Sequence, residues 1–345
     1  MPTNDLKKTL AKITQNLISE EVDSGVLKNS IEELKLLLER VSGLNQKVVV
    51  NSDNIALSTG KAIGPKWAGM CLEDTTRTRK FIMGIHKAIQ EVLIKNPKKP
   101  VTILYAGTGP FATLILPLLS LYKPSELQLI LLEVNTISIE NLKKIIKGFD
   151  AYEYIKAIYN CDASNFIVPS EFDADILLVE CMQHALLRES QVDITYNLLP
   201  QLKKEAILIP EKISLHLALI DTDKKKEYLS IEDNKSEKDY YENSEAVFTL
   251  NKAEILQNSL NFKKESFHFP KKETHFSKEQ LGNYDFIAVS TEITIFENIS
   301  LEIDESGLTV PMLLADLNYD QKVIGAKTQY IVGTDPELVS QLVRS

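Results

Sequence analysis

From Val101 onward, short apolar runs alternate with segments of helical periodicity. VTILYA leads through GTG into FATLILPLLSLY, LQLILLEV into ISIENLKKIIKGF, and YIKAIYNCDA into EFDADILLVE, after which comes a helical stretch about ITYNLLPQL. Strands that alternate with helices in this way predict a parallel sheet covered by helices on both faces, a Rossmann-like α/β domain. Few other folds accommodate the pattern.

The flanks have a different texture. Residues 4–43 place apolar side chains at helical spacing, as in IEELKLLLERV, where Ile31, Leu34, Leu37 and Leu38 share a face. Two amphipathic helices, broken near Asp23-Ser24-Gly25, are predicted there, and a further helix over Thr75 to Lys95. After Pro210 come ISLHLALID, EAVFTL, ESFHFP, FIAVSTEITIF, ISLEI and KTQYIVG, short runs rich in β-branched and aromatic residues between polar turns. These predict an antiparallel, barrel-like or sandwich domain. The expected division is an N-terminal helical region over 1–60, an α/β domain over 61–209, and a β-rich domain over 210–345.

Two acids stand out at the carboxyl end of the α/β unit. In VECMQHALLRES, Glu180 directly follows the apolar run DILLV, and Glu189 follows nine positions later. Anions brought together in a buried place repel, and burying them is costly without a cation between them. The pair therefore points to a cationic ligand. His184 lies between them and reads as an ordinary loop or helix-start histidine, and Trp67, the single tryptophan, reads as a packing residue.

At the end of the first strand, YAGTGPF carries Gly107 and Gly109, which let the backbone turn sharply and approach a ligand. Glu133 ends the next strand, where an acid can accept hydrogen bonds from ribose hydroxyls. Asp162 and Ala163 close the third, where a polar side chain can meet an adenine edge. A dinucleotide and S-adenosylmethionine both fit this set, and the glycine count does not separate them. Pro110 removes one N–H that a pyrophosphate would use, which favours the methyl donor.

Composition excludes some partners. A net charge of -9 disfavours a groove for a phosphate backbone. Cys71, Cys161 and Cys181 are odd in number and show no CxxC spacing, so a disulfide framework is not expected. The five histidines form no metal-spaced cluster. No apolar run reaches membrane-spanning length and MPTNDLKKTLAK lacks a secretory pattern, so a cytoplasmic protein without membrane or nucleic-acid partners is expected.

With VECMQHALLRES and YAGTGPF in place, the chain resembles the protein arginine methyltransferases, well over residues 65–225 and loosely beyond. The resemblance implies an S-adenosylmethionine-dependent methyltransferase in which Glu180 and Glu189 grip the substrate guanidinium, with Met182 matching a family methionine beside them. GMCLEDTTRTRKF is similar to the family's first helix, with Asp74, Arg77 and Thr78. Arg77 would then hold the carboxylate of the methionine moiety, and Met70 would lie near the sulfonium. The charged stretch 222–246, with its two adjacent tyrosines, sits where the family projects a dimerisation arm, which implies a homodimer. The chain also departs from the family: Tyr105 replaces an acid, Phe111 replaces the last loop glycine, and LTVPMLLADLNYD lacks the Thr-His-Trp motif. A free amino acid, a small guanidine or a dedicated peptide therefore competes with a histone-like protein as acceptor.

The chemistry suits two carboxylates. A guanidinium stays protonated and spreads its charge over three nitrogens, each a poor nucleophile. Charge-assisted, fork-like hydrogen bonds can bias that charge and orient one nitrogen. The expectation is thus N-methylation of a guanidino group, free, small-molecule or peptide-borne. Methylation of another amine, an imidazole or a hydroxyl is the first alternative. A non-catalytic scaffold that keeps the fold comes next, and a nicotinamide oxidoreductase last.

Overall fold

The computed structural model describes residues 3–44, 52–231, 236–262 and 266–345. Part of the charged stretch (232–235) and Glu265 of ESFHFP lie outside the described residues. Helices α1 (Thr3–Ile18) and α2 (Ser24–Ser42) open the chain. They part at Asp23, whose carboxylate caps α2 by accepting from the N–H groups of Gly25 and Val26. Leu6, Leu10, Ile13 and Leu17 of α1 are buried, as are Ile31, Leu34, Leu37 and Leu38 of α2. A two-stranded hairpin, β1 (Ile55–Leu57) and β2 (Gly60–Ala62), leads into α3 (Pro65–Met70) and α4 (Thr75–Lys95).

The α/β unit is a five-stranded, all-parallel sheet. Its strands are β3 (Val101–Ala106), β4 (Leu127–Glu133), β5 (Ile155–Asn160), β6 (Ile176–Val179) and β7 (Ile207–Ile209), with α5 (Thr136–Gly148) and α6 (Gln191–Leu198) among the connections. The spatial order is β5-β4-β3-β6-β7. Every residue of β3 and β6 is buried, which explains their unbroken apolar runs. The chain leaves β3 toward β4 on one side and returns to β6 on the other. A crevice therefore opens at the carboxyl ends of these strands, where open α/β sheets take ligands.

The remainder is antiparallel. It contains β8 (Lys212–Ile220), α7 (Thr222–Ser230), β9 (Tyr241–Asn251), α8 (Lys252–Asn258), β10 (Lys272–His275), α9 (Lys278–Leu281), β11 (Phe286–Phe296), β12 (Ile299–Leu301), β13 (Met312–Asp316), β14 (Val323–Ile331) and β15 (Glu337–Arg344). One sheet runs β12-β11-β8-β9 with β13 also on β11, and a second runs β10-β14-β15. The fold is thus a Rossmann-like domain with N-terminal helices and a β-rich C-terminal domain. Aromatic contacts join the two: Tyr196 of α6 stacks on Phe262 at 4.2 Å between ring centroids. Helix α4 lies against β11 closely enough that a Cβ at Gly84 would meet Ile295 Cγ2 at 2.5 Å. Lys80 adds an ion pair to Glu305 at 2.7 Å.

The structure departs from the sequence expectations in three places. FATLILPLLSLY forms turns and a short 3-10 segment over Leu116–Ser120 instead of an α-helix. Gly109 and Ala112 sit in the left-handed region at φ 59° and 47°, and Pro117 has no N–H to continue a helix. ESFHFP makes only an isolated bridge, between His268 and Ile331. ELVSQLVR, which lacks a strong apolar run, is nevertheless the edge strand β15.

Candidate active site

The carboxyl ends of four of the five parallel strands, β3 to β6, meet at a single cavity of about 600 Å³. This lies within the range typical of small-molecule sites. Strand β3 leads to Gly107 and Gly109, β4 ends at Glu133, β5 leads to Asp162 and Ala163, and β6 is followed by Glu180. Met70 comes from α3 and Arg77 from α4, while Met182 and Glu189 lie on the loop after β6. All ten of these residues line the cavity.

The glycine turn is shaped by close packing. Gly107 adopts φ 78°, and an added Cβ would stand 2.1 Å from Cys181 Sγ. Glycine is therefore required there on both conformational and steric grounds. No helix N-terminus follows the turn. The N–H of Gly109 instead donates to Glu133 Oε2 at 2.7 Å, and that of Asn135 to Glu133 Oε1 at 2.8 Å. Burial raises the Glu133 carboxyl, and these two donors pull it back. The Val134 N–H and the Thr108 side chain act on the same carboxylate in the same direction, so Glu133 is held at the cavity wall by several donors. Asp162 Oδ1 accepts from the Ser164 N–H and hydroxyl, which fixes the carboxylate at the rim.

The two acids differ sharply in environment. Glu180 meets the buried guanidinium of Arg77: Nε donates to Oε1 at 3.1 Å and Nη2 to Oε2, a fork-like pair. Arg77 Nη1 donates to the Cys71 carbonyl at 2.8 Å. Burial pushes the Glu180 carboxyl up and Arg77 pulls it back. Burial likewise opposes the Arg77 charge, and Glu180 more than offsets it, so the guanidinium pKa is raised. Facing a cation that keeps its proton, the ionised carboxylate is the form the pair stabilises. Glu189 is also buried but has no such partner. Burial, then the charge of Glu180, raise its carboxyl to about 7, against smaller opposing effects of Gln183, Lys61 and Arg77.

Glu189 is held in place by strained backbone. Ala185, Leu186 and Arg188 all adopt positive φ, at 54°, 53° and 65°. Non-glycine residues in this region cost ~1–3 kcal/mol each and persist only when their surroundings impose them. Here the β-rich domain does so. Ala185 N–H donates to Thr291 Oγ1 at 2.9 Å, Tyr330 Oη to the Leu186 carbonyl at 2.8 Å, and Arg188 N–H to the Pro336 carbonyl at 2.7 Å. The strand end itself is tied to α6 by Gln191, which accepts from Cys181 N–H at 2.8 Å and donates to the Val179 carbonyl at 3.0 Å.

Asp74 supplies a further link between domains. Its Oδ1 caps α4 by accepting from Arg77 N–H, and its Oδ2 accepts from Ser306 Oγ at 2.6 Å and Gly307 N–H at 2.8 Å. Gly307 and Leu308 thereby reach the cavity wall, where the stretch LTVPMLLADLNYD begins. The lining also includes Lys61, Cys181 and Trp67, to which the sequence assigns no site role. Trp67 corrects the packing expectation, because it is 45% exposed at the cavity and lies under Lys66 Nζ. No spacing rule flags Lys61, which reaches the site through tertiary contacts, whereas Cys181 directly follows Glu180 in the chain.

Among the described residues no group of three or more His, Cys, Asp and Glu side chains could hold a metal ion, and no helix is long and apolar enough to cross a membrane. No protein-family profile and no curated protein sequence matches the chain. Solved structures similar to it include a Trypanosoma brucei PRMT1 enzyme-prozyme heterotetrameric complex with AdoHcy, at 13% identity and TM-score 0.48, covering 80% of this chain and 92% of that one. Arabidopsis thaliana protein arginine methyltransferase 10 aligns at 12% identity and TM-score 0.48, with 79% and 95% covered. PRMT6 aligns at 12% identity and TM-score 0.49, with 79% and 97% covered.

Proposed function

We propose that this cavity binds S-adenosylmethionine and a guanidino compound side by side, and that the protein is an N-methyltransferase. The observation that carries the reading is the convergence of Glu180 and Glu189 on the cavity formed by the glycine turn, Glu133 and Asp162. The residues fit the methyl donor. Gly107 and Gly109 shape the turn on the cavity wall, Glu133 ends the strand where an acid can accept from ribose hydroxyls, and Asp162 would meet the adenine. Met70 and Trp67 supply apolar surface to the donor. When bound, S-adenosylmethionine supplies an electrophilic methyl group.

The chain's own residues do the rest. Arg77 keeps Glu180 ionised and fixed, so Glu180 presents negative charge without having to reorganise. Glu189 lies on the same cavity and completes a two-sided grip on a planar cation. Positioning of this kind supplies ~7–11 kcal/mol in well-arranged cases. With its carboxyl near neutrality, Glu189 is the group suited to take a proton from the guanidino nitrogen.

Calorimetry tests the donor assignment. S-adenosylmethionine binds and NAD does not; binding of NAD alone, or of neither by the folded protein, contradicts the reading.

The acids also predict a pH dependence. The Glu189 carboxyl titrates at about 7 in the folded protein against its ordinary 4.5, so the fold favours the protonated form. That contribution to stability is complete below about pH 4.5 and is lost as pH rises through about 7, on the order of 3 kcal/mol. The grip on a cation needs the ionised form, so kcat/KM rises across the same interval. Glu189→Gln removes the corresponding step from the stability profile, measured by urea unfolding at a series of pH values. An unchanged step assigns it to another group.

A further inference from the structure

We propose that the methyl acceptor carries a carboxylate as well as a guanidinium, and that Lys61 binds that carboxylate, so that the substrate is a free guanidino amino acid. The inference rests on the guanidino reading above and narrows it.

Lys61 lies on β2, and backbone contacts fix that strand to the loop bearing the second acid. Lys61 N–H donates to the Arg188 carbonyl at 2.8 Å, and Lys61 faces Glu189 in an isolated parallel bridge. Ser190 Oγ donates to the Thr59 carbonyl at 2.9 Å. Gly60 adopts φ 132°, and a Cβ there would stand 2.6 Å from the Arg188 carbonyl oxygen, so the hairpin can come this close only with glycine. Lys61 is therefore built into the wall of the cavity.

Its charge has no partner among the described residues. Arg77, the other lysine or arginine of the wall, is consumed by Glu180 and the Cys71 carbonyl, whereas Lys61 forms no ion pair or side-chain hydrogen bond there. Lys61 is near enough to act on Glu189 through its charge, without a salt bridge to it. An ammonium beside the acid that grips a guanidinium repels a simple cationic ligand. A carboxylate on the same ligand turns that repulsion into a charge-assisted hydrogen bond. Leu57 and Ala62 of the same hairpin, with Ile63 just after it, also line the cavity.

The test compares methyl transfer from S-adenosylmethionine to arginine, to its decarboxylated analogue agmatine, and to arginine inside a capped peptide. The wild-type protein favours free arginine over either of the others by roughly tenfold or more in kcat/KM, the worth of one good charge-assisted contact. Lys61→Met brings the arginine-to-agmatine ratio toward one, mainly through KM for arginine, and Lys61→Arg keeps it. Equal use of arginine and agmatine by the wild type, or a ratio unmoved by Lys61→Met, overturns the role of Lys61 and leaves the guanidino reading standing. Absence of transfer to all three acceptors overturns both.

Discussion

Glu180→Gln lowers methyl transfer by roughly 10²–10³-fold, the usual scale for removing one preorganised electrostatic partner. Glutamine keeps the shape and loses the charge. In the wild-type protein one fork-like pair joins Glu180 to Arg77, and Glu180 and Glu189 both line the cavity. The variant leaves Arg77 buried without its counter-ion, so the thermal midpoint falls as well. Cofactor affinity does not fall, because the released guanidinium can meet the carboxylate of S-adenosylmethionine. Measuring rate, melting and calorimetric affinity on the same preparation separates these effects. Transfer within a few-fold of wild type contradicts the role given to Glu180.

Arg77→Met destabilises the protein by ~3–5 kcal/mol at neutral pH, the cost of stranding a buried charge. The side chains of Arg77 and Glu180 are only 8% and 7% exposed, so water cannot replace the lost partner. Removing the guanidinium leaves Glu180 and Glu189 as two neighbouring buried carboxyls, and both then favour protonation. The folded state of the variant binds extra protons, so its deficit is largest at alkaline pH and shrinks as pH falls toward about 5. Adding Glu180→Gln to Arg77→Met restores part of the loss, because no uncompensated charge remains. Urea unfolding at pH 5 and pH 8 on the two single variants and the double variant reads the effect directly. Additive losses would show that the pair is not energetically coupled.

Much of the sheet was readable because β3, β4 and β6 are buried on both faces and so carry continuous apolar runs. The same logic located Glu133 and Glu180, since a charged residue that ends such a run must leave the sheet at its edge. What escaped the sequence reading depends on contacts between distant positions. Arg77 and Glu180 are 103 residues apart, and nothing local announces that the arginine expected to meet a cofactor carboxylate pairs with the acid expected to face the substrate. The positive φ angles of Ala185, Leu186 and Arg188 contradict local preference and are imposed by Thr291, Tyr330 and Pro336 of the β-rich domain. The hairpin bearing Lys61 has strands of only three residues, too short for an alternating pattern to register. FATLILPLLSLY was misread because its apolar spacing suits a helix, while Gly109 and Pro117 interrupt the backbone.

On the proposed reading, one cavity brings a sulfonium methyl donor to a cation held between Glu180 and Glu189. Incubating the unmodified protein with methyl-labelled S-adenosylmethionine and a guanidino acceptor, then locating the label, tests it most directly. Label is expected on a guanidino nitrogen of the acceptor. Label found only on another kind of atom, or none transferred while the donor is demonstrably bound, would contradict it.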